Sequence, residues 1–302
     1  MKKRQLIESI PNFSEGRDLY KVERLVSAYR AKAGIRLLDY TTDAEHNRCV
    51  VTVVGEPEPL RIASLEAIRI AQEIIDMNNH VGKHPRIGCV DVMPFVPVRN
   101  TTLEEADQLA KVVAKEAAEK YHQPIYLYEK SASAPHRADI AAIRKGQFEG
   151  LSAKMQDPMW IPDYGPAAPH PTGGATIIGA RMPVIYYNIA LATSNLEIAR
   201  DIARRVRNVD GGLRYVKAMG IPSEEPGQTL VTMNLTDFTR SAMHTAFQLV
   251  KMEAAHYGVL VIGSEIVGYV PSQALINTAA YYLQMDSLSP EQVLENNFDL
   301  EI

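Results

Sequence analysis

Twice along this chain the apolar residues run in the order strand, helix, strand, strand, helix, strand, and few folds satisfy that order. Short apolar runs bounded by turn residues predict strands over 6–10, 35–40, 48–54, 89–96 and 124–128. Helical spacing fills the gaps. Leu19, Val22, Leu25, Val26 and Tyr29 mark a helix over 19–33, and Leu60, Ala63, Ile68, Ala71 and Ile75 mark one over 57–77 that opens on Pro57 and Pro59. A third helix, rich in Ala, Glu and Lys, spans 103–121. The second pass places strands at 184–191, 213–220, 229–235 and 259–262, with helices at 195–207 and 239–257. This βαββαβ order is that of the split βαβ motif. One face of such a sheet needs covering, so the expected fold is α+β, with two ferredoxin-like subdomains packed together and a ligand cleft between them. The expected domains are residues 1–180 and 181–302.

Composition narrows the partners. Charged residues make up 23 % of the 302 and the net charge is −4, which gives no electrostatic reason to expect nucleic acid or an anionic membrane. Small molecules are the expected partners. Cys49 and Cys89 each sit in an apolar, β-branched run outside any CxxC pair, and read as buried free thiols. The basic start MKKR meets Glu8 and Pro11 after only a few apolar residues, too soon for a signal-peptide core, and no run approaches the ~18 apolar residues of a membrane span. A cytoplasmic protein is expected.

The densest chemistry lies in HVGKHPRIGCVD, residues 80–91, where His80, Lys83, His84, Arg86 and Asp91 are interrupted by Gly82, Pro85 and Gly88. The two histidines have the separation used by zinc-binding helices. Pro85, however, pushes His84 out of the α region, Gly82 is a poor helix former, and no HExxH glutamate or cysteine set accompanies them, so no metal is expected. Proton transfer fits better: an imidazole gives and takes protons near neutral pH, and Asp91 could orient it or hold its charged form. Lys83 and Arg86 would draw an anionic substrate, Arg through a two-pronged grip on a carboxylate. A solvated basic loop is the bland alternative.

Elsewhere the signals are weaker. In PNFSEGRD, residues 11–18, Ser14 or Asp18 reads as a helix cap and Gly16 as a turn, while Asn12 could meet a ligand at a strand end. Asp39, Asp43, His46, Asn47 and Arg48 read most simply as a polar hairpin turn. The proline- and glycine-rich stretch WIPDYGPAAPHPTGGA, residues 160–175, cannot be a helix or central strand and is either a linker or a binding loop. The GxxxxGK[ST], GxGxxG and GxSxG patterns are absent, which lowers phosphoryl transfer, dinucleotide chemistry and serine hydrolysis.

Taken together, PNFSEGRD, LLDYTTDAEHNR, HVGKHPRIGCVDVMPFVPV, PIYLYEKSA, IRKGQFEGL and PDYGPAAPHPTGGATIIGAR resemble, in order and spacing, the glutamate formimidoyltransferase family, over essentially the whole chain. That family includes the transferase half of formimidoyltransferase-cyclodeaminase; no cyclodeaminase segment is expected after Ile302. The resemblance implies transfer of a formimino group from N-formimino-L-glutamate to tetrahydrofolate, a co-substrate, without metal, in histidine breakdown, by a homodimer whose folate lies between the two subdomains. It implies that His84 is the catalytic histidine. It also implies that Gly165, Pro166, Ala167, Ala168, Pro169, His170, Pro171, Thr172, Gly173 and Gly174 form the folate-binding segment. On chemical grounds a single imidazole can serve both proton transfers of such a reaction. Both substrates carry carboxylates, so Arg48, Lys83, Arg86 and Arg181 are the expected anion holders; Asn12, Asp39, His80 and Asp91 complete the expected substrate site. The alternatives are another donor, N-formylglutamate or formiminoglycine, and a folate-binding protein without catalysis.

Overall fold

The computed structural model describes residues 4–297; residues 1–3 and 298–302, at the outer ends of the two expected domains, lie outside the description. The chain divides into two compact units that meet in sequence between Arg181 and Met182.

The first unit begins with β1 (Leu6–Ser9) and β2 (Asn12–Phe13), two pieces of one strand line parted at Pro11. There follow α1 (Leu19–Ser27), β3 (Ile35–Asp43), β4 (Arg48–Gly55), α2 (Pro57–Ile74), β5 (Val90–Arg99), α3 (Leu103–Tyr121), β6 (Ile125–Leu127), the short α4 (Ile140–Arg144) and α5 (Leu151–Lys154), and β7 (Thr176–Ala180). Across the sheet, β3 pairs with β4, both β1 and β2 lie between β4 and β5, and all these pairs are antiparallel. β7 and then β6 extend the sheet beyond β5 in parallel register. The strand, helix, strand, strand, helix, strand order read from the sequence is thus present. The added β7 was not foreseen, because its run TIIGA follows directly on a segment read only as loop.

Alternation decides the two faces. Met93 and Ile178 join Val53, Phe95, Leu25, Leu60, Ile68 and Val113 in a core between the sheet and α1 to α3. Val92 and Ile177, one position away, turn to the other face and pack with Tyr126, Ile143, Leu151 and Met155. Local sequence sets the helix ends. α2 opens with Pro57, whose missing N–H and fixed φ suit a first helical position, and α3 with a reciprocal capping box between Thr102 and Glu105. α1 stops at Ser27, short of the expected 33, and Ala31 and Gly34 beyond it have positive φ.

The second unit holds β8 (Ile185–Leu191), α6 (Leu196–Val206), β9 (Val216–Pro222), β10 (Thr229–Leu235), α7 (Met243–His256), β11 (Val261–Val267) and α8 (Ser272–Leu283). Its four strands form an antiparallel sheet in the order β11-β8-β10-β9. Ile189, Val231 and Met233 pack against Ile202, Val206, Ala246 and Val250 of α6 and α7. The sequence reading lacked α8, whose first residue follows Pro271 without a side-chain cap.

One close crossing positions the site. The segments around residues 87–89 and 173–175 run against each other, with Ala175 N donating to Ile87 O at 3.0 Å and Cys89 N to Gly173 O at 3.0 Å. A Cβ on Gly88 would stand 2.1 Å from Ala175 O, so no other residue fits without moving backbone. Gly88→Ala is therefore expected to cost about 3 kcal/mol; a denaturant melt unchanged within ~0.5 kcal/mol would show that the crossing yields freely.

Candidate active site

Three loops of the first unit meet at a narrow recess lined by Asn12, Phe13, Ser14, His46, Asn47, Arg48, His80, His84, Arg86 and Asp91. Each loop is held by its own short-range chemistry. In the β3–β4 turn, Asp43 Oδ1 accepts from the backbone N–H of Glu45 (2.9 Å) and His46 (2.8 Å), and Asn47 takes a left-handed φ of 47°, which Asn tolerates better than most residues. Asn47 Oδ1 then accepts from Gly16 N at 2.9 Å, and its amide donates to Val81 O at 3.2 Å. Ser14 Oγ donates to Gly88 O at 2.7 Å. These bonds tie residues 14–16, 46–48 and 80–88 into one frame.

Within that frame the charged groups have assigned partners. Arg86 is only 5 % exposed. Its Nη atoms reach both Glu149 oxygens (2.9 and 2.7 Å) and Gln147 (3.0 Å), and its Nε donates to His80 Nδ1 at 3.0 Å. His80 must then carry its proton on Nε2, which faces Asn47 O at 3.0 Å, and burial lowers its pKa. Asp91, 2 % exposed, accepts from Ile87 N at 3.0 Å and pairs with Arg144, whose Nε lies 3.0 Å from Oδ2. Arg48 Nε donates to Asn12 Oδ1 at 2.9 Å.

His84 differs. Its Nε2 is buried and has no hydrogen-bond partner. Burial, and then the positive charges of Arg48 and Arg144, push its pKa from the ordinary 6.5 down to about 4, so the ring is neutral at physiological pH and able to accept a proton. The His46 ring stands edge-on to it, with centroids 6.3 Å apart, and His46 Nδ1 lies 2.6 Å from Asp43 Oδ2. Among the described residues, no group of three or more His, Cys, Asp or Glu is arranged to hold a metal ion.

Of the residues expected at a substrate site, the fold brings together Asn12, Arg48, His80, His84, Arg86 and Asp91. Asp39, Lys83 and Arg181 fall outside the recess lining. Asp39 is exposed on β3 opposite Thr52, and Lys83 is exposed and paired with Glu45. Arg181 lies beyond the end of β7, where its N–H donates to Phe95 O and its charge acts on Glu8. Two expected roles also change. Asp91 does not orient an imidazole, because Arg144 and Ile87 N occupy it, and the Arg86 fork grips Glu149 of this chain. His46 and Asn47, read from sequence as hairpin turn, belong to the recess.

Residues 165–174 are not a slack linker. Tyr164 O accepts from Ile125 N, Thr172 O from Met77 N, and Gly173 O from Cys89 N, at 2.8 to 3.0 Å. His170 Nδ1 accepts from Gly173 N at 2.9 Å and closes the turn. Before it, buried Asp163 takes Leu127 N at 2.8 Å and an ion pair with Arg137 at 3.0 Å, while Arg137 donates to the carbonyls of Met159 and Ile161.

The same chain regions match known proteins. The profile for the formiminotransferase domain, N-terminal subdomain, covers residues 6–181, and that for the formiminotransferase domain covers 186–298. The chain belongs to the formiminotransferase family. It is 43 % identical to a glutamate formimidoyltransferase of Streptococcus pyogenes serotype M1 over 97 % of this chain and 98 % of that one. It is 42 % identical to a glutamate formimidoyltransferase of Thermoplasma acidophilum over 97 % of both chains. With the formimidoyltransferase-cyclodeaminase of Mus musculus it shares 39 % identity over 94 % of its own length and 53 % of the mouse protein.

Breaking the Arg137–Asp163 pair leaves a buried cation unmatched, so Asp163→Ala is expected to destabilise the first unit by about 3–5 kcal/mol. Urea unfolding followed by tyrosine and tryptophan fluorescence reads this, and a loss under ~1 kcal/mol would mean that the pair does not hold the segment.

Proposed function

We propose that this family member transfers the formimino group of N-formimino-L-glutamate to N5 of tetrahydrofolate, giving 5-formimidoyltetrahydrofolate and L-glutamate, with His84 as the proton-transfer group. The donor and acceptor follow from the formimidoyltransferases to which the chain is similar over nearly its whole length. The observation that carries the role of His84 is its unpartnered, buried Nε2 in a recess where His80 has both nitrogens engaged.

The chemistry asks little beyond positioning and proton transfer. N5 attacks the amidine carbon and acquires positive charge, so a neutral imidazole beside it must accept a proton; the departing glutamate nitrogen must gain one. A ring held neutral by burial and nearby guanidinium groups is suited to the first task at any pH above about 4. General acid-base help of this kind gives about 10²- to 10⁴-fold, and alignment of two bound substrates supplies the rest. Arg48, at the recess wall, is the cation we assign to a substrate carboxylate. Residues 165–174, whose glycine end crosses Gly88, form the folate-binding segment; His170, turned inward to Gly173 N, shapes that segment. We place the enzyme in the cytoplasm as a homodimer, which sedimentation tests.

His84→Gln is expected to lower turnover about 10²- to 10⁴-fold while tetrahydrofolate binding by titration calorimetry stays within about threefold. Unchanged turnover would remove His84 from its role. The sign of the pH dependence follows from the lowered pKa: the base is lost only when pH falls through about 4, so kcat/KM should hold through 6.5 and decline well below it. An acid limb at 6.5 would contradict this environment. With formiminoglutamate, N-formylglutamate and formiminoglycine offered in parallel, formiminoglutamate is expected to be the efficient donor; no product from it would defeat the assignment.

A further inference from the structure

One half of the proton traffic has no group assigned to it. His84 is neutral and takes a proton from N5; the glutamate nitrogen must receive one before its bond to carbon can break. A second imidazole lines the same recess. His46 sits at the tip of the β3–β4 turn with its ring edge-on to His84 at 6.3 Å. Its Nδ1 meets Asp43 Oδ2 at 2.6 Å, and the other Asp43 oxygen is fixed by the backbone N–H groups of Glu45 and His46. These bonds to His46, backbone first and then side chain, hold the Asp43 carboxyl below its usual range, so it remains ionised. A fixed carboxylate on Nδ1 orients the ring and leaves Nε2 as the working nitrogen.

From this geometry we infer that His46, oriented by Asp43, is a second catalytic residue: the general acid that protonates the leaving glutamate nitrogen while His84 serves as the base. The inference rests on the reaction proposed above. The two rings share one recess but differ in their partners, His46 bonded to a carboxylate and His84 Nε2 to nothing, so they can divide the acid and base roles. His84 is half-buried near Arg48 and Arg144, whereas His46 is half-exposed beside a carboxylate. Glu45 flanks His46 on its own turn; Arg48 stands at the start of β4; Lys83 of the facing loop is held by Glu45. His80, Arg86 and Asp91 share the recess but are engaged as described.

The step balances as follows. The N5 lone pair forms a bond to the amidinium carbon, and the carbon–nitrogen π pair moves onto the formimino nitrogen. N5 gives its proton to His84 Nε2. His46 Nε2–H gives its proton to the glutamate nitrogen, the bond from that nitrogen to carbon breaks, and the formimino nitrogen lone pair re-forms the double bond. Glutamate leaves as the amine. His84 is left protonated and His46 neutral; return of one proton from the first to the second restores both.

The test is kcat and donor KM for the wild type, His46→Gln, Asp43→Asn and His84→Gln, with melting curves recorded for each. His46→Gln is expected to lower kcat by about 10²-fold or more and to leave KM for the donor within about threefold. Asp43→Asn should lower kcat by a smaller factor, again with KM within about threefold, because the His46 ring loses the carboxylate that orients it. A His46→Gln enzyme within threefold of wild-type kcat, or an Asp43→Asn enzyme with wild-type kcat, would overturn the inference. His84→Gln separates the two claims: if it is inactive while His46→Gln is fully active, only this inference fails, and if it is fully active the reading of His84 fails by itself.

Discussion

A guanidinium enclosed by protein must have its donors matched, and the site is built around one. Arg86 is nearly sealed from water, and it reaches Glu149, Gln147 and His80 in three directions. Removing any of these partners would strand a buried donor, at roughly 1–3 kcal/mol or more for a charged group. The consequence is positional. His80 is locked in one tautomer against Asn47 O, Asn47 locks Gly16 and Val81, and the loop carrying His84 is thereby fixed against the β3–β4 turn. Asp91 and Arg144 repeat the device one turn of chain later, and the close passage of Gly88 under residues 173–175 anchors the far side. Within this frame the Nε2 of His84 is left without a partner.

That contrast explains how neighbouring histidines acquire different chemistry. His80 is structural: both nitrogens are used, and proton exchange there would break the frame. His84 Nε2 is buried but unpaired, which is costly for folding and useful for a base. The account also has a stability sign. Since the folded-state pKa of His84 lies below its unfolded value, the native state binds fewer protons between about pH 4 and 6.5, and the His84 contribution to stability falls as pH drops through that window.

Much of the fold was legible because it depends on local pattern. The alternation of RCVVTVVG and of TLVTMNL marks half-buried strands, and the capping signal TLEE marks the start of α3 at Leu103. β7 was not legible, since a short apolar run after two glycines has no period to distinguish it, and its place beside β5 is a non-local pairing. The chemistry divided in the same way. A histidine before a proline among glycines is visible in sequence, as is the density of charge around it. Which charges are free is not. Arg86 looked like an anion clamp because its partner Glu149 lies 63 residues away, and Asp91 looked like an orienting carboxylate because Arg144 lies 53 residues away. His46 was read as hairpin turn because nothing in DAEHNR says that the turn faces the loop of residues 80–91.

The central claim is that His84 remains a neutral base through the physiological range because burial and the positive charges of Arg48 and Arg144 disfavour its protonated form. Titration of the histidine ring ¹³Cε1 and ¹⁵N resonances of the substrate-free protein, with His84 assigned by comparison with His84→Gln, measures this directly. The account predicts that the His84 ring stays neutral as pH is lowered through 6.5 and protonates only near 4. A His84 resonance that titrates near 6.5, or one showing a ring already protonated at neutral pH, would contradict it.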